Sequence, residues 1–429
     1  MRYFIICLIL AFLGAGVFLF WPGGKTMEVD LSRYQTASLV APEIPEGEMN
    51  NGNNAESFKT NQFVNSDIEP QSPIANPPKT IKAIYATSWS AGSPKRIDNL
   101  INLINETELN AVVIDIKDFS GHIAYNIELP EVEEYRAKEI RIPRVNVLLK
   151  KLHDNGIYAI ARLTVFQDPI LAKARPDLAI KNKKTGEIWL DHKNLAWIDP
   201  SAKEAWDYNL AIAKDALSRG FDEINFDYIR FPSDGELSNM SYPFWDEKTP
   251  KRKVLKSFFQ YLRENLADAK ISADVFGLTT VNKDDMGIGQ VIEDIYGSFD
   301  YVSPMVYPSH YHKQFLGYAN PASHPYEVIK YSMEAALKRL TAYSLRLTAV
   351  STTTISLEQF NNTTLQQLNN AKLRPWLQDF SLSVRYDAEM VKKEIQAVYD
   401  SASSTPELVN GWMLWSPSNM YTREALNNE

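Results

Sequence analysis

From Thr80 onward, eight short runs rich in β-branched and aromatic residues alternate with stretches of helical periodicity. The runs are Ile81–Thr87, Ala111–Asp118, Ile157–Phe166, Glu223–Phe231, Ile271–Gly277, Tyr301–Tyr307, Leu373–Phe380 and Gly411–Pro417. Amphipathic stretches such as Ile97–Glu106, Val145–Asn155, Ala202–Arg219 and Lys251–Ala267 fit between them. Strands joined through helices return parallel and right-handed, so the alternation implies a parallel sheet. Eight units is the count at which such a sheet closes, and the expected fold is α/β, a (β/α)8 TIM barrel. An open doubly wound sheet is the alternative, but no Gly-rich phosphate loop follows the first strand.

Two segments interrupt the rhythm. Asp168–Pro200 carries a turn signal at Lys184-Thr185-Gly186, which predicts a hairpin in the loop after the third strand, over the barrel mouth. Thr341–Asn370, rich in Ser, Thr, Asn and Gln, reads as an insertion before the seventh strand.

The chain starts differently. Arg2 precedes an apolar run from Tyr3 to Trp21, and about 17 to 25 apolar residues suffice to span a bilayer. No small-x-small cleavage site follows, only WPGGK, which favours an uncleaved anchor over a cleaved signal. Residues 1–24 are therefore expected to be a signal or membrane anchor, touching the membrane through residues 3–21. Residues 25–79, rich in Asn, Glu, Pro and Ser, read as a disordered linker, with a small subdomain as the alternative. The barrel, 80–429, is then expected outside the cytoplasm, anchored or secreted. The chain's only cysteine, Cys7, lies in the apolar run, so the exported part has no disulfides. A net charge of −8 argues against nucleic acid as a partner. Six histidines and one cysteine leave little for a zinc cluster, and no metal or cofactor is expected.

The segment FDEINFDYIRFP, Phe221–Pro232, carries the clearest chemistry. Period-two alternation puts Glu223, Asn225 and Asp227 on one face and Ile224, Phe226 and Tyr228 on the other. Three inward polar groups are costly to bury unless they bond to one another or to a ligand. They form either a polar network supporting the sheet or a catalytic strand.

In a barrel, residues at strand C-termini converge on one mouth. They include Asp115, Lys117 and Asp118 from the second strand, Arg162 from the third, and Asp227 and Arg230 from the fourth. Asp274, Met305 and Tyr307, Gln378 and Asp379, then Trp415 and Asn419 follow from the fifth to eighth. Carboxylates mixed with aromatics suit a sugar site: acids protonate a leaving oxygen, and ring faces stack on pyranoses. Plainer readings stand beside this one. Asp115 and Lys117 are equally readable as a buried ion pair in the lumen, and Trp412 and Trp415 as barrel filling.

FDEINFDYIRFP, followed in order by ADVFG, SPMVYP, RPWLQDF and GWMLWSPSN, resembles a bacterial glycoside hydrolase-like family of barrel fold from Ile81 to Tyr421. A more distant likeness is to family 18 chitinases, whose fourth strand reads D-x-x-D-x-D-x-E. Here that frame holds Asp222, Asn225, Asp227 and Ile229, while Met305, Tyr307 and Trp415 match the chitinases' sixth and eighth strands. The chitinase proton donor falls on Ile229, so a different acid must serve.

The expectation is a glycosidase acting on a cell-envelope or extracellular polysaccharide. Asp227 would be nucleophile or charge stabiliser and Asp274 general acid, with Asp115 and Asp379 as second choices for the acid. Arg162 and Arg230 would orient or ionise the carboxylates; Tyr307, Trp376 and Trp415 would hold the sugar. A carbohydrate-binding or scaffold barrel without turnover is the other class. A metal-dependent hydrolase is weak, because His122, His192, His310 and His312 share no ligand spacing.

Overall fold

The computed structural model describes residues 17–20, 26–29, 67–354 and 371–428. Each of the eight runs contains a strand: β1 Ile81–Ala86, β2 Ala111–Lys117, β3 Tyr158–Thr164, β4 Glu223–Asp227, β5 Ile271–Phe276, β6 Tyr301–Met305, β7 Trp376–Gln378 and β8 Gly411–Trp415. Consecutive strands pair in parallel and β8 pairs back onto β1, which closes the barrel. Around it lie α1 Pro94–Asn105, α2 Val145–Asp154, α3 Lys203–Arg219, α4 Lys251–Asn265, α5 Ile292–Tyr296, α6 Pro325–Thr354 and α7 Ala388–Ser401. The expected hairpin is present: Trp189 N–H bonds the Ile180 carbonyl, and Gly186 closes the turn at φ +74°. Thr341–Thr354 prolongs α6, and residues 355–370 lie outside the described residues. So does the apolar run 3–21, except Val17–Phe20, which pairs antiparallel with Thr26–Val29. Among the described residues no helix is long and apolar enough to cross a membrane.

Period-two alternation divides the core. One set of side chains, including Ala83, Tyr85, Val113, Ile160, Phe276, Met305, Trp376, Met413 and Trp415, fills the barrel. The other packs against the helices; Phe226, for example, meets Phe299 edge-on with centroids 6.3 Å apart. Parity changes once. A bulge in β2 sets Asp115 opposite Arg162 but Lys117 opposite Leu163. Lys117 therefore leaves the lumen and bonds Asp168, Asn209 and the Thr164 carbonyl, all on the helix side. The Asp115–Lys117 ion pair does not form, because the extra residue turns the two side chains to opposite faces.

Gly411 and Gly220 are among the places where no side chain fits. Gly411 opens β8 at φ +76°, and a Cβ there would sit 1.9 Å from the Ile81 carbonyl oxygen. Gly220 ends α3 in the left-handed region, and its Cβ would meet the Gln71 carbonyl at 2.4 Å. Gln71 belongs to residues 67–79, which cross the end of the barrel opposite the strand C-termini. There Asp67 accepts the first N–H groups of α2 from Asn146 and Val147, and Asp222 accepts the N–H of Ile74.

Deep in the lumen Glu223 bonds the Ser272 hydroxyl at 2.6 Å and pairs with Arg374, both ends fully buried. The Arg374 guanidinium lies 4.1 Å from the Tyr301 ring centroid. Removing one partner strands the other's charge, so Glu223→Ala is expected to destabilise the protein by about 3–5 kcal/mol. The midpoint of urea unfolding measures that loss.

Candidate active site

Strand register builds the site. Asn225 on β4 lies beside Ser272 on β5, so Asp227 and Asp274, each two residues further on, are lateral neighbours at the C-terminal ends. On the other side, Thr164 of β3 is the register partner of Asp227, and Arg162 of β3 is the partner of Asp115 on β2. All these side chains point inward, and Arg162 becomes their common partner. Its Nη1 bonds Asp115 at 2.6 Å, its Nη2 bonds Asp227, and its Nε lies 3.7 Å from Asp274 Oδ2.

Aromatic rings wall this cluster. Tyr85 and Trp415 stack with centroids 3.8 Å apart, and the Arg162 guanidinium lies 5.7 and 5.0 Å from their centroids. Trp376 stands edge-on to Trp415, and its indole N–H donates to Asp274 Oδ1 at 2.8 Å. Tyr307 is buried in the same interior group. Burial, then the fields of Asp274 and Asp227, push its phenol well above the ordinary tyrosine range.

One guanidinium cannot neutralise three carboxylates. Burial works against the charge of Arg162, but the surrounding carboxylates outweigh it and hold the side chain firmly protonated. Burial also raises Asp115, with Arg162 opposing the shift and the Tyr85 hydroxyl donating at 2.5 Å. Asp274 is the one most displaced. Burial first, and the charge of Asp227 second, push its carboxyl up to about 8. Asn225 and Trp376 both donate to Oδ1, which leaves Oδ2 to carry the proton. Asp227 instead receives donors at both oxygens, Arg162 at Oδ2 and the Tyr228 N–H at Oδ1, 2.6 Å away. Tyr228 adopts φ +53°, a left-handed conformation rare for an aromatic residue, at the point where β4 enters its loop. Two adjacent carboxyls thus differ in environment, Asp227 accepting at both oxygens and Asp274 at Oδ1 alone with its pKa raised; such a pair can divide acid and base work.

Asp227, Asp274, Asp115, Arg162, Trp376, Trp415 and Tyr307 gather in this one cluster. Two other sequence candidates stand apart. Asp379 accepts the N–H and hydroxyl of Thr422 at 2.8 and 2.6 Å, tying the C-terminal segment to the end of β7. Arg230 donates to the Phe231 carbonyl and the Ser233 hydroxyl rather than to a carboxylate. The inward polar groups of FDEINFDYIRFP divide by depth: Glu223 is in the supporting network, Asp227 in the cluster, and Asn225 bonds both Ser272 and Asp274. Tyr85 and Asn225 were not among the candidate site residues. Tyr85 was visible in principle, as the last inward position of IKAIYA.

The chain matches the family described as "Putative glycosyl hydrolase domain" over residues 83–421. Among curated proteins, none matches it in sequence. Among solved structures, the PgaB (BpsB) glycoside hydrolase domain from Bordetella bronchiseptica is 14% identical over 80% of this chain and 95% of its own, with a TM-score of 0.52. A hypothetical protein from Ruminiclostridium thermocellum is 40% identical over 48% of this chain and 98% of its own, at a TM-score of 0.42. The spore cortex-lytic enzyme SleL of Bacillus megaterium is 11% identical over 82% of this chain and 73% of its own, at 0.43. The glycoside hydrolase-like resemblance read from the motifs is borne out, and with four-fifths of its length matched the chain belongs to the "Putative glycosyl hydrolase domain" family.

Proposed function

We propose that this protein is an exported glycosidase that cleaves a cell-envelope or extracellular polysaccharide, with Asp274 as general acid and Asp227 as nucleophile or charge stabiliser. The observation that carries the reading is the pair itself: neighbouring carboxyls bridged by Arg162, with Asp274 held up to about 8. Asp274 gives its proton to the glycosidic oxygen as the anomeric C–O bond breaks. Asp227 meets the positive charge that develops at the anomeric carbon. Water then attacks that carbon, and the Asp274 carboxylate takes back a proton. Parallel strands lie roughly 4.8 Å apart, close to the carboxyl separation of about 5–5.5 Å used by retaining enzymes. Trp415 and Tyr307 supply ring faces for the sugar. The apolar segment at residues 3–21 is the basis for export, and it also makes the membrane a partner.

A second reading has its own support. Asp227 is 5% and Asp274 1% exposed, and Ile229 stands where the chitinases carry their acid. Both features favour a glycan-binding scaffold without turnover. One experiment separates the two. The barrel from residue 67 onward, with Asp227→Asn and Asp274→Asn, is incubated with envelope and extracellular polysaccharides, and released oligosaccharides are read by mass spectrometry. Product from the parent that disappears in both variants is expected. Binding without product from the parent supports the scaffold.

A further inference from the structure

Four arginines are buried among the described residues: Arg141, Arg162, Arg230 and Arg374. Three are ion-paired, Arg141 with Asp118 and Glu139, Arg162 with Asp115 and Asp227, and Arg374 with Glu223. Arg230 is the exception. It is 3% exposed, yet among the described residues no carboxylate oxygen lies within 4.0 Å of its guanidinium. Burial lowers its pKa, against the opposing fields of Tyr228, Asp234, Asp227 and Asp191.

Its setting is built. The guanidinium carbon lies 4.7 Å from the ring centroid of Trp197, 4.7 Å from that of Phe276 and 5.2 Å from that of Tyr228. Trp197 is held by its own N–H bond to Asp191, and the N–H of Phe276 bonds Gln290. Hydrogen bonds leave Arg230 through Nη1 alone, to the Phe231 carbonyl at 3.2 Å and the Ser233 hydroxyl at 3.1 Å. Nε and Nη2, the other edge of the fork, make none among the described residues. The position matters too. Tyr228 directly follows Asp227, and Phe276 lies two residues beyond Asp274, so the rings around the guanidinium come from the ends of the strands that carry the pair, and the field of Asp227 reaches Arg230 without a direct contact.

We infer that Arg230 is an oxyanion-recognising subsite and that the glycan taken by this barrel carries a negatively charged group, a carboxylate, sulfate or phosphate, beside the bond to be cleaved. A planar fork fixed by aromatic faces matches an oxyanion with two parallel hydrogen bonds. A buried cation without a contacting carboxylate gains most when its ligand brings that charge to the free edge of the fork. Asp191, Asp227 and Asp234 are near enough to act on Arg230 through space. Asp191 is committed to the N–H groups of Lys193 and Leu195 and to Trp197, and Asp227 to Arg162; Asp234 accepts the His192 N–H at Oδ1, and its Oδ2 lies more than 4.0 Å from the guanidinium. Selectivity therefore comes from the fork rather than from net positive charge.

This substrate class rests on the glycosidase reading for its location, but its test is a binding measurement that needs no turnover. The Asp227→Asn protein is titrated with oligosaccharides of polygalacturonate, alginate and hyaluronan, each beside its carboxyl-reduced neutral form, and with dextran sulfate and a glycerol-phosphate teichoic acid. At least one acidic glycan is expected to bind roughly tenfold to a hundredfold more tightly than its neutral counterpart, the size of one charge-assisted pair. Arg230→Gln in the same background should abolish that difference, and Arg230→Lys should restore only part of it. If Arg230→Gln does not fold, Arg230→Lys alone carries the comparison, since losing the fork while keeping the charge must still weaken acidic binding. Equal affinity for acidic and neutral forms, or no binding of any acidic glycan, overturns the inference. Cleavage of a neutral glycan alone would overturn it while leaving the glycosidase standing. Arg230-dependent acidic binding without cleavage by the parent protein would do the reverse.

Discussion

Asp274→Asn should cut turnover by roughly 10²–10⁴-fold, the contribution of a positioned general acid, while glycan binding persists. The substitution is nearly isosteric. Its carbonyl oxygen can still accept from Asn225 and Trp376, so the surrounding structure has no reason to collapse. What disappears is the proton on Oδ2. In the parent protein that proton leaves as pH rises through about 8, so glycosidase activity should fall on the alkaline side of that value. The residual activity of Asp274→Asn should show no such limb. Stability supplies a second readout with a definite sign. The folded state holds this proton up to about 8, against an ordinary value of 3.8, so it binds the proton more tightly than the unfolded chain does. The contribution to stability is complete below the unfolded value, declines as pH rises through the window, and is lost above the folded value. Urea unfolding at pH 5 and pH 9 should show the parent protein losing stability that Asp274→Asn keeps. Equal pH dependence in the two proteins would place the ionisation elsewhere and remove Asp274 as the acid.

The barrel was legible because its signal is repeated. Eight runs of β-branched and aromatic residues fix strand number, and parity fixes which side chains enter the lumen; all eight expected runs contain the observed strands. Parity alone also located Asp227 and Asp274, since each is inward and the last acid before its loop. It failed where one residue is inserted. The β2 bulge separates Asp115 from Lys117, and nothing in AVVIDIKD announces it. Pairing across strands was equally hidden: that Arg162 serves Asp115 and Asp227 together follows from register between β2, β3 and β4, which period-two reasoning does not supply. Arg230 shows the opposite limit. Its place after β4 suggested a partner for Asp227, but the turn through Tyr228 at positive φ carries the chain away and delivers the guanidinium to Trp197 and Phe276 instead.

Arg162→Met tests whether the cluster is held together by charge or by packing. Methionine fills much of the space beside the stacked Tyr85 and Trp415 rings but leaves Asp115 and Asp227 without their cation and Asp274 without the positive charge next to it. Stranding buried carboxylates in this way costs about 3–5 kcal/mol near neutral pH, and turnover should be lost with the geometry of Asp227. The cost should depend on pH. Without Arg162 the folded state binds protons at these carboxylates more tightly than the unfolded chain does, so the variant recovers stability as pH falls toward the ordinary carboxylate range. The deficit relative to the parent should therefore be largest at pH 8 and smallest near pH 4, measured by urea midpoints at each pH. A deficit that stays constant with pH would mean that the guanidinium acts as a filler beside the ring stack, and the carboxylates would then need another explanation for their burial. A deficit that shrinks on acidification means that Arg162 is what allows three acids to occupy one barrel mouth, and the proton on Asp274 follows from the shortage of a second cation.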